Sequence, residues 1–125
     1  MSNPCVLAVI ALKASLDVFE TTSMKELCEK SRALTGYLEK LVIEHLGDAV
    51  TIITPKDPHQ RGCQLSILFN APGMMQKVFD EMMANKIICD ERKPDVIRVA
   101  PTPLYNTFED VWKAVMVMKN ALGKN

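Results

Sequence analysis

The chain has 125 residues, enough for one domain, and its 48% hydrophobic and 24% charged residues are the composition of an ordinary soluble globular protein. Its 15 basic and 15 acidic side chains cancel, which excludes the basic excess of a nucleic-acid-binding protein and any acidic tail. No repeat, low-complexity segment or linker divides the chain. The residue pattern predicts, in chain order, helix, helix, strand, strand, helix, short strand, strand and helix.

The first predicted helix covers residues 4–20 and is apolar on nearly every side. Asn3 is a good N-cap, and Pro4 suits the first helical position because its missing N–H has no partner there in any case. A helix that is apolar all round needs cover on more than one side. The other predicted elements are few, so the sequence predicts a helix that lacks part of its cover.

The second predicted helix begins at Ser23 and ends at Gly47. Ser23 and Glu26 have the spacing of a capping box, in which each residue satisfies a free N–H of the other's backbone. Its buried stripe is predicted to contain Leu27, Leu34, Leu38, Leu41 and Val42. Gly36 costs about 1 kcal/mol relative to alanine in a helix, and we interpret it as a point of close packing.

Strands are predicted at 50–55 and 64–69, pairing antiparallel across a loop that contains Pro55, Pro58 and Gly62. A third helix at 73–85 is predicted to bury one face, formed by Met75, Val78, Phe79 and Met82.

Two further strands, 87–90 and 96–100, flank a predicted turn at 91–95. The last helix follows Asn106, with Glu109 as its capping-box partner, and ends at Gly123. Its predicted buried stripe is Phe108, Val111, Trp112, Val115 and Leu122. The fold class is therefore α/β, α+β in strict usage, with helices packed on one side of a small, mostly antiparallel sheet.

No complete catalytic or metal-binding set is present. The cysteines lie far apart without a C-x-x-C pair, which favours reduced thiols and a cytoplasmic location over a zinc site or a disulfide framework; they are Cys5, Cys28, Cys63 and Cys89. His45 is predicted on the exposed side of a helix end and His59 in a loop, and neither has metal-ligand spacing. No nucleophile elbow or phosphate loop occurs, so we assign no catalytic residue and no metal.

The apolar run at 5–12 is too short to cross a bilayer, which takes about 20 residues. It also lacks the preceding lysine or arginine of a signal peptide. We therefore expect no association with a membrane.

Arg98 stands among apolar residues directly before Pro101 and Pro103. Residues 96, 98 and 100 share one face of the predicted strand. Arg98 can therefore be a guanidinium on a solvent-facing sheet surface. Alternatively, it can present two parallel N–H donors to a carboxylate, beside a turn that the prolines stiffen.

Ser2 and Asn3 form a second candidate site. Asn3 can serve simply as a helix cap, or the pair can line a pocket, and the two roles are compatible.

Five stretches together resemble the C-terminal part of kynureninase, a pyridoxal-phosphate enzyme of the aspartate aminotransferase fold. They follow one another along essentially the whole chain and are SNP at 2–4, LTGYLE at 34–39, RGCQLSI at 61–67, CDERKPD at 89–95 and IRVAPTPLYN at 97–106. RGCQL and IRVAP-x-PLYN are long, unusual strings, so the resemblance is specific.

The resemblance implies hydrolysis of L-kynurenine or 3-hydroxykynurenine to anthranilate or 3-hydroxyanthranilate and L-alanine, in tryptophan catabolism and NAD biosynthesis. It also implies a cytoplasmic homodimer with pyridoxal 5'-phosphate as cofactor. Arg98 would bind the substrate's α-carboxylate, Ser2 would contact the substrate, and Asn3 would contact the cofactor.

The resemblance further implies that residues 1–125 are the small C-terminal domain of a fold-type I pyridoxal-phosphate enzyme, with the first helix joining it to a large cofactor domain. No lysine here can be assigned as the cofactor's Schiff-base lysine, so we expect a truncated product, a gene fragment or a partial gene model that is inactive alone. The alternatives are a free-standing amino-acid-binding regulatory module and an inactive partner of the full-length enzyme.

Overall fold

The computed structural model describes residues 3–123. Within this range the chain forms four α-helices and four strands, which are α1 (Val6–Phe19), α2 (Met24–Leu46), β1 (Val50–Ile52), β2 (Leu65–Phe69), α3 (Met74–Ala84), β3 (Asp90–Arg92), β4 (Val96–Val99) and α4 (Phe108–Ala121). A short 3-10 helix, Gly47–Ala49, precedes β1, and a second, Pro58–Gln60, lies in the loop between β1 and β2.

The four strands form one sheet in the order β1-β2-β4-β3, and every neighbouring pair is antiparallel. Side chains alternate between the faces along each strand, so Leu65, Ile67 and Phe69 are buried while Ser66 and Leu68 are only partly covered. Helices α2, α3 and α4 pack on the buried face. The predicted α+β fold class, with helices on one side of a small antiparallel sheet, is confirmed.

A single hydrophobic core joins that sheet face to the three packed helices. Its members that are fully buried include Leu34, Leu38, Val42, Leu46, Leu65, Ile67, Met75, Val78, Met82, Ile97, Val115 and Met118. In α3, the predicted stripe is correct for the three buried residues, whereas Phe79 is only partly buried.

Helix α2 forms as predicted. The Ser23 side chain accepts from the Glu26 N–H at 3.2 Å, the Glu26 carboxylate accepts from the Ser23 N–H at 3.0 Å, and Gly47 ends the helix with φ 47°. The interpretation of Gly36 is wrong, because a Cβ at that position would meet no atom within 4 Å.

The start of α4 differs from the prediction by one residue. Thr107, not Asn106, is the N-cap, and Asp110, not Glu109, completes the capping box. The Asn106 side chain instead accepts from the Thr102 N–H at 2.8 Å, which explains why it does not cap the helix.

The predicted buried stripe of α4 is also partly wrong. Phe108 and Trp112 are each 49% exposed, and Ala114, Met118 and Ala121 occupy the face against the core. Close packing of α4 against α2 and α3 favours these narrower side chains over the aromatic rings.

Two strands are shorter or displaced relative to the prediction. Residues 87–89 are not strand, β3 instead occupies Asp90–Arg92, and the turn is confined to 93–95. β1 ends at Ile52, although the Ile53 N–H still donates to the Ser66 carbonyl at 2.9 Å. The shift of β3 changes which residues lie opposite β4.

Helix α1 starts later than predicted. Its N-cap is Cys5, with no side-chain cap, so Asn3 does not cap it and Pro4 is not its first residue. The first helical hydrogen bond runs from the Val9 N–H to the Cys5 carbonyl at 3.1 Å. None of the residues of α1 is buried, and Leu7 is 78% exposed, so the predicted lack of cover is confirmed for the described residues.

Candidate functional site

Arg98 lies in β4 on the sheet face that points away from the core. Its neighbours Ile97 and Val99 are buried on the opposite face, as the strand alternation predicts. Across the sheet it is flanked by Ser66 of β2 and Asp90 of β3, which are its register partners. Its side chain is 32% exposed, so the guanidinium is partly covered and still reachable.

Asp90 holds the guanidinium of Arg98. The Arg98 Nε donates to Asp90 Oδ2 at 2.5 Å, and Arg98 Nη2 forms an ion pair with the same oxygen. Arg92 Nε also lies 3.0 Å from that oxygen. Asp90 Oδ2 therefore contacts the guanidinium groups of both Arg98 and Arg92 on the open sheet face.

A shallow depression of about 320 Å³ lies beside this cluster and is lined by Gln64, Ile88, Cys89, Asp90, Arg98 and Ala100. Arg98 thus lines a cavity, as the carboxylate-binding interpretation requires. The depression is open on one side, and the core formed with helices α2, α3 and α4 lies on the opposite face of the sheet.

The turn after β4 is held by its own hydrogen bonds. Pro101 is buried, and the Tyr105 and Asn106 N–H groups donate to the Thr102 carbonyl at 3.4 and 2.9 Å. The turn also forms one wall of a larger groove of about 550 Å³, together with the loop after α3 and the first turns of α4. The end of β4 is therefore anchored, which limits movement of the strand that carries Arg98.

The second predicted site consists of Ser2 and Asn3, and the described part of it does not lie at the depression beside Arg98. Ser2 lies outside the described residues. Asn3 is exposed, makes no hydrogen bond with the described residues, and does not line the depression beside Arg98.

The RGCQ stretch lies on the loop that leads into β2. Arg61, whose side chain is 4% exposed, donates to Glu39 of α2 at 2.5 Å and to the Pro55 carbonyl at 3.1 Å. The hydrogen bond from Arg61 lowers the pKa of the Glu39 carboxyl below its ordinary value. This ion pair fastens the loop that places Gln64 beside Arg98.

The cysteines offer no nucleophile at the site. All four are unpaired. Cys89 lines the depression, but burial raises the pKa of its thiol to about 11, and the charges of Asp90 and Glu91 act in the same direction. The thiol therefore stays protonated at neutral pH, whereas nucleophilic cysteines need a depressed pKa.

The two histidines have no part in the site. His59 is exposed in the Pro58–Gln60 turn as predicted, while His45 is half-buried, not fully exposed, near the end of α2. Within residues 3–123, no group of three or more histidine, cysteine, aspartate or glutamate side chains could hold a metal. No helix in this range is both long and apolar enough to cross a membrane.

Asp90 and Gln64 were not singled out from the sequence, although both lie within the strings that carry the resemblance. The predicted turn at 91–95 would have put residue 90 opposite residue 96. The actual register puts Asp90 opposite Arg98. An acidic and a basic residue at i and i+8 around a short turn is the signal that could have revealed the pair.

Comparison with known proteins now identifies the family. The family model of the kynureninase C-terminal domain matches residues 27–118. Kynureninase 2 of Aspergillus oryzae is 50% identical over 125 residues, covering 98% of this chain and 26% of the relative. Kynureninase of Coccidioides immitis is 48% identical over 130 residues, covering 99% of this chain and 27% of the relative. The chain spans about a quarter of the length of these curated relatives.

Solved structures agree on the fold. The 8-amino-7-oxononanoate synthase of Francisella tularensis superposes with a TM-score of 0.61 at 18% identity, covering 76% of this chain and 27% of that one. A C-DES mutant with glycine covalently linked to its PLP cofactor gives 0.55 at 14% identity, covering 77% and 23%. Both likenesses support the fold alone, a small antiparallel sheet with helices packed on one face. Because of the match over residues 27–118 and the close relatives, the chain belongs to the kynureninase C-terminal domain family.

Proposed function

We propose that residues 1–125 form the small C-terminal domain of a kynureninase, a pyridoxal-phosphate-dependent hydrolase that cleaves L-kynurenine or 3-hydroxykynurenine to anthranilate or 3-hydroxyanthranilate and L-alanine. The names of the relatives support this proposal, as does their identity of 50% and 48% in alignments that cover 98% and 99% of this chain. The complete enzyme would be a cytoplasmic homodimer in which α1 leads into the large cofactor domain.

Within that enzyme, Arg98 would bind the α-carboxylate of the substrate. The observation that carries this role is a partly exposed guanidinium that lines a depression and is held on one edge by Asp90. A planar guanidinium matches the two oxygens of a carboxylate with two parallel donors, which a lysine cannot do. Holding the carboxylate fixes the reacting end of the substrate relative to the cofactor.

Pyridoxal 5'-phosphate would supply the electron sink of the reaction. Among the described residues, only Asn3 is assigned a contact with this cofactor, and Ser2 is assigned a contact with the substrate. A single exposed asparagine is not a cofactor site, so we infer that the cofactor is held mainly by the large domain and that this domain orients the substrate.

The test is a chimeric enzyme in which this chain replaces the matching quarter of Aspergillus oryzae kynureninase 2. Since a charge-assisted hydrogen bond contributes about 1.5–3 kcal/mol, we expect Arg98→Gln to raise the KM for kynurenine about 10-fold to 100-fold. Arg98→Lys should recover only part of this loss because it keeps the charge but not the fork.

Arg32→Gln is the matched control, because Arg32 is exposed on α2 away from the depression. It should leave KM unchanged. An Arg98→Gln enzyme with an unaltered KM would overturn the role given to Arg98.

The main alternative is a free-standing amino-acid-binding module, which is favoured by the fact that the Arg98 depression is lined within this chain alone. Calorimetric titration of the purified chain with kynurenine and alanine separates the two. Saturable binding that Arg98→Gln abolishes would support the module.

A further inference from the structure

We propose that Asp90 is the positioning residue of Arg98: its carboxylate holds the Nε edge of the guanidinium, so that the Nη1 and Nη2 edge is the one that receives the substrate carboxylate. The proposal rests on the carboxylate-binding role proposed for Arg98. It goes beyond that role by naming the edge of the Arg98 guanidinium that binds the substrate carboxylate, and by naming Asp90 as the residue that orients the guanidinium.

The geometry of the contact selects the edge. A guanidinium has a side edge, formed by Nε and Nη2, and an end edge, formed by Nη1 and Nη2, and each can hold a carboxylate. Asp90 Oδ2 accepts from Arg98 Nε at 2.5 Å and pairs with Nη2, so it occupies the side edge. Arg98 Nη1 has no hydrogen bond or ion pair with the described residues, which leaves the end edge open.

The register of the sheet holds Asp90 next to Arg98. Asp90 and Arg98 are register partners on the antiparallel strands β3 and β4, so their side chains leave the same sheet face side by side. The backbone therefore brings the carboxylate to the guanidinium before any ligand binds. A long arginine side chain that is already ordered loses less conformational entropy on binding.

The charges at the cluster still favour an anion. Asp90 Oδ2 also lies 3.0 Å from Arg92 Nε, so the carboxylate is shared between two guanidinium groups. One negative and two positive groups leave the cluster with a net positive charge. Asp90 can thus orient Arg98 without cancelling its attraction for a substrate carboxylate.

The partial exposure of the pair argues for orientation over stability. The side chains of Arg98 and Asp90 are 32% and 47% exposed, and ion pairs this close to solvent contribute little to folding. A change at Asp90 should therefore affect binding of the substrate carboxylate far more than the thermal stability of the protein.

The experiment uses the chimeric enzyme with Asp90→Asn, which preserves the shape of the side chain and removes its charge. Residues that orient a metal ligand typically change affinity or activity about 10-fold to 100-fold, and by the same physical argument we expect the KM for kynurenine to rise about tenfold, with a smaller change in kcat and an unchanged melting temperature. Inhibition by kynuramine, the decarboxylated analogue, should be unaffected because it has no carboxylate to orient. Asp80→Asn, the same change at an exposed carboxylate on α3, should alter none of these values.

A double variant tests whether Asp90 acts through Arg98. In an Arg98→Gln background, Asp90→Asn should add nothing to the rise in KM, because the group that it orients is absent. A further rise of equal size would overturn the proposal, as would a rise in the kynuramine inhibition constant matching that for kynurenine.

The two proposals fail separately. If Arg98→Gln raises KM and Asp90→Asn does not, the positioning role is wrong and the role of Arg98 stands; if neither variant raises KM, both are wrong. Nitrogen-15 NMR of the arginine Nε groups in the 125-residue chain gives a readout that needs no activity. The Arg98 Nε–H signal should shift and exchange faster with water in Asp90→Asn, and an unchanged signal would overturn the pairing in solution.

Discussion

At the scale of single residues, two ion pairs in this domain differ in burial and therefore in consequence. Arg98 and Asp90 lie on the open sheet face, where we propose that Asp90 orients the Arg98 guanidinium. Arg61 and Glu39 are far less exposed, at 4% and 20%, and join the loop before β2 to α2. Removing one partner of a partly buried pair leaves the other charge with less compensation, so this second pair should matter more for folding than the Arg98–Asp90 pair.

We expect Glu39→Gln to lower the free energy of unfolding by about 1–3 kcal/mol at pH 7, because Arg61 would keep only a neutral partner. Urea unfolding followed by circular dichroism measures the change. Asp17→Asn, in the exposed Lys13–Asp17 pair of α1, is the control and should have no measurable effect. Equal stability of Glu39→Gln and the parent chain would contradict the expectation.

The same pair predicts a pH dependence. The pKa of Glu39 is lowered in the folded protein from its ordinary value of 4.5, so its contribution to stability is complete above that pH and is lost as the pH falls through the lowered value. The difference in unfolding free energy between the parent chain and Glu39→Gln should therefore shrink below pH 4.5. Urea titrations at pH 7 and at pH 3 test this, and a difference that stays constant would argue against the pairing.

At the scale of elements, the sheet has two unlike faces. Ile67 of β2 is fully buried against the helices, whereas Leu68, the next residue, lies on the face that carries Arg98. Helices α2, α3 and α4 cover one side of the sheet, and the substrate-binding role proposed for Arg98 belongs to the other.

We expect Ile67→Ala to cost about 2–5 kcal/mol of unfolding free energy, since it leaves a cavity in a close-packed core. Leu68→Ala removes a side chain of similar size from the open face and should cost clearly less. Chemical denaturation of both variants of the 125-residue chain checks the ranking, which would fail if the two losses were equal.

Helix α1 carries eight exposed large hydrophobic side chains, which are Val6, Leu7, Val9, Ile10, Leu12, Leu16, Val18 and Phe19. Leu7 and Ile10 are 78% and 59% exposed, and an uncovered apolar patch usually leads to association. We expect the purified chain to bind a hydrophobic dye and to self-associate, and the double change Leu7→Lys and Ile10→Lys to reduce both. Ile43→Lys, at an exposed residue of α2, is the control; a monomeric chain without dye binding, measured by sedimentation, would contradict this expectation.

At the scale of the whole molecule, the proposed function makes this domain one part of a larger active site. The matched relatives are about four times as long as this chain, and their remaining length would have to provide most of the cofactor site. The open depression beside Arg98 agrees with a site that is shared between domains.

We therefore expect the 125-residue chain, supplied with pyridoxal 5'-phosphate, to show no hydrolysis of kynurenine, while the chimera with the remainder of the Aspergillus oryzae enzyme is active. Release of anthranilate, followed by its fluorescence, measures both. Turnover by the chain alone would contradict the division of roles proposed here.

The sequence by itself determined the features that depend on near neighbours along the chain. The capping box at Ser23 and the glycine end of α2 are set within one helical turn, and the alternation along β4 places Arg98 opposite in direction to Ile97 and Val99. The five family strings, with Arg98 among them, are likewise visible without coordinates.

Only the tertiary structure decided what depends on contacts between distant residues. Packing of α4 against two helices left Phe108 and Trp112 exposed, and the strand register brought Asp90 to Arg98. A shift of one residue in where α4 is capped, or of three residues in where β3 starts, costs little locally, so local patterns cannot choose between registers. The choice is made when whole faces are buried together, and that is where the partner of Arg98 was determined.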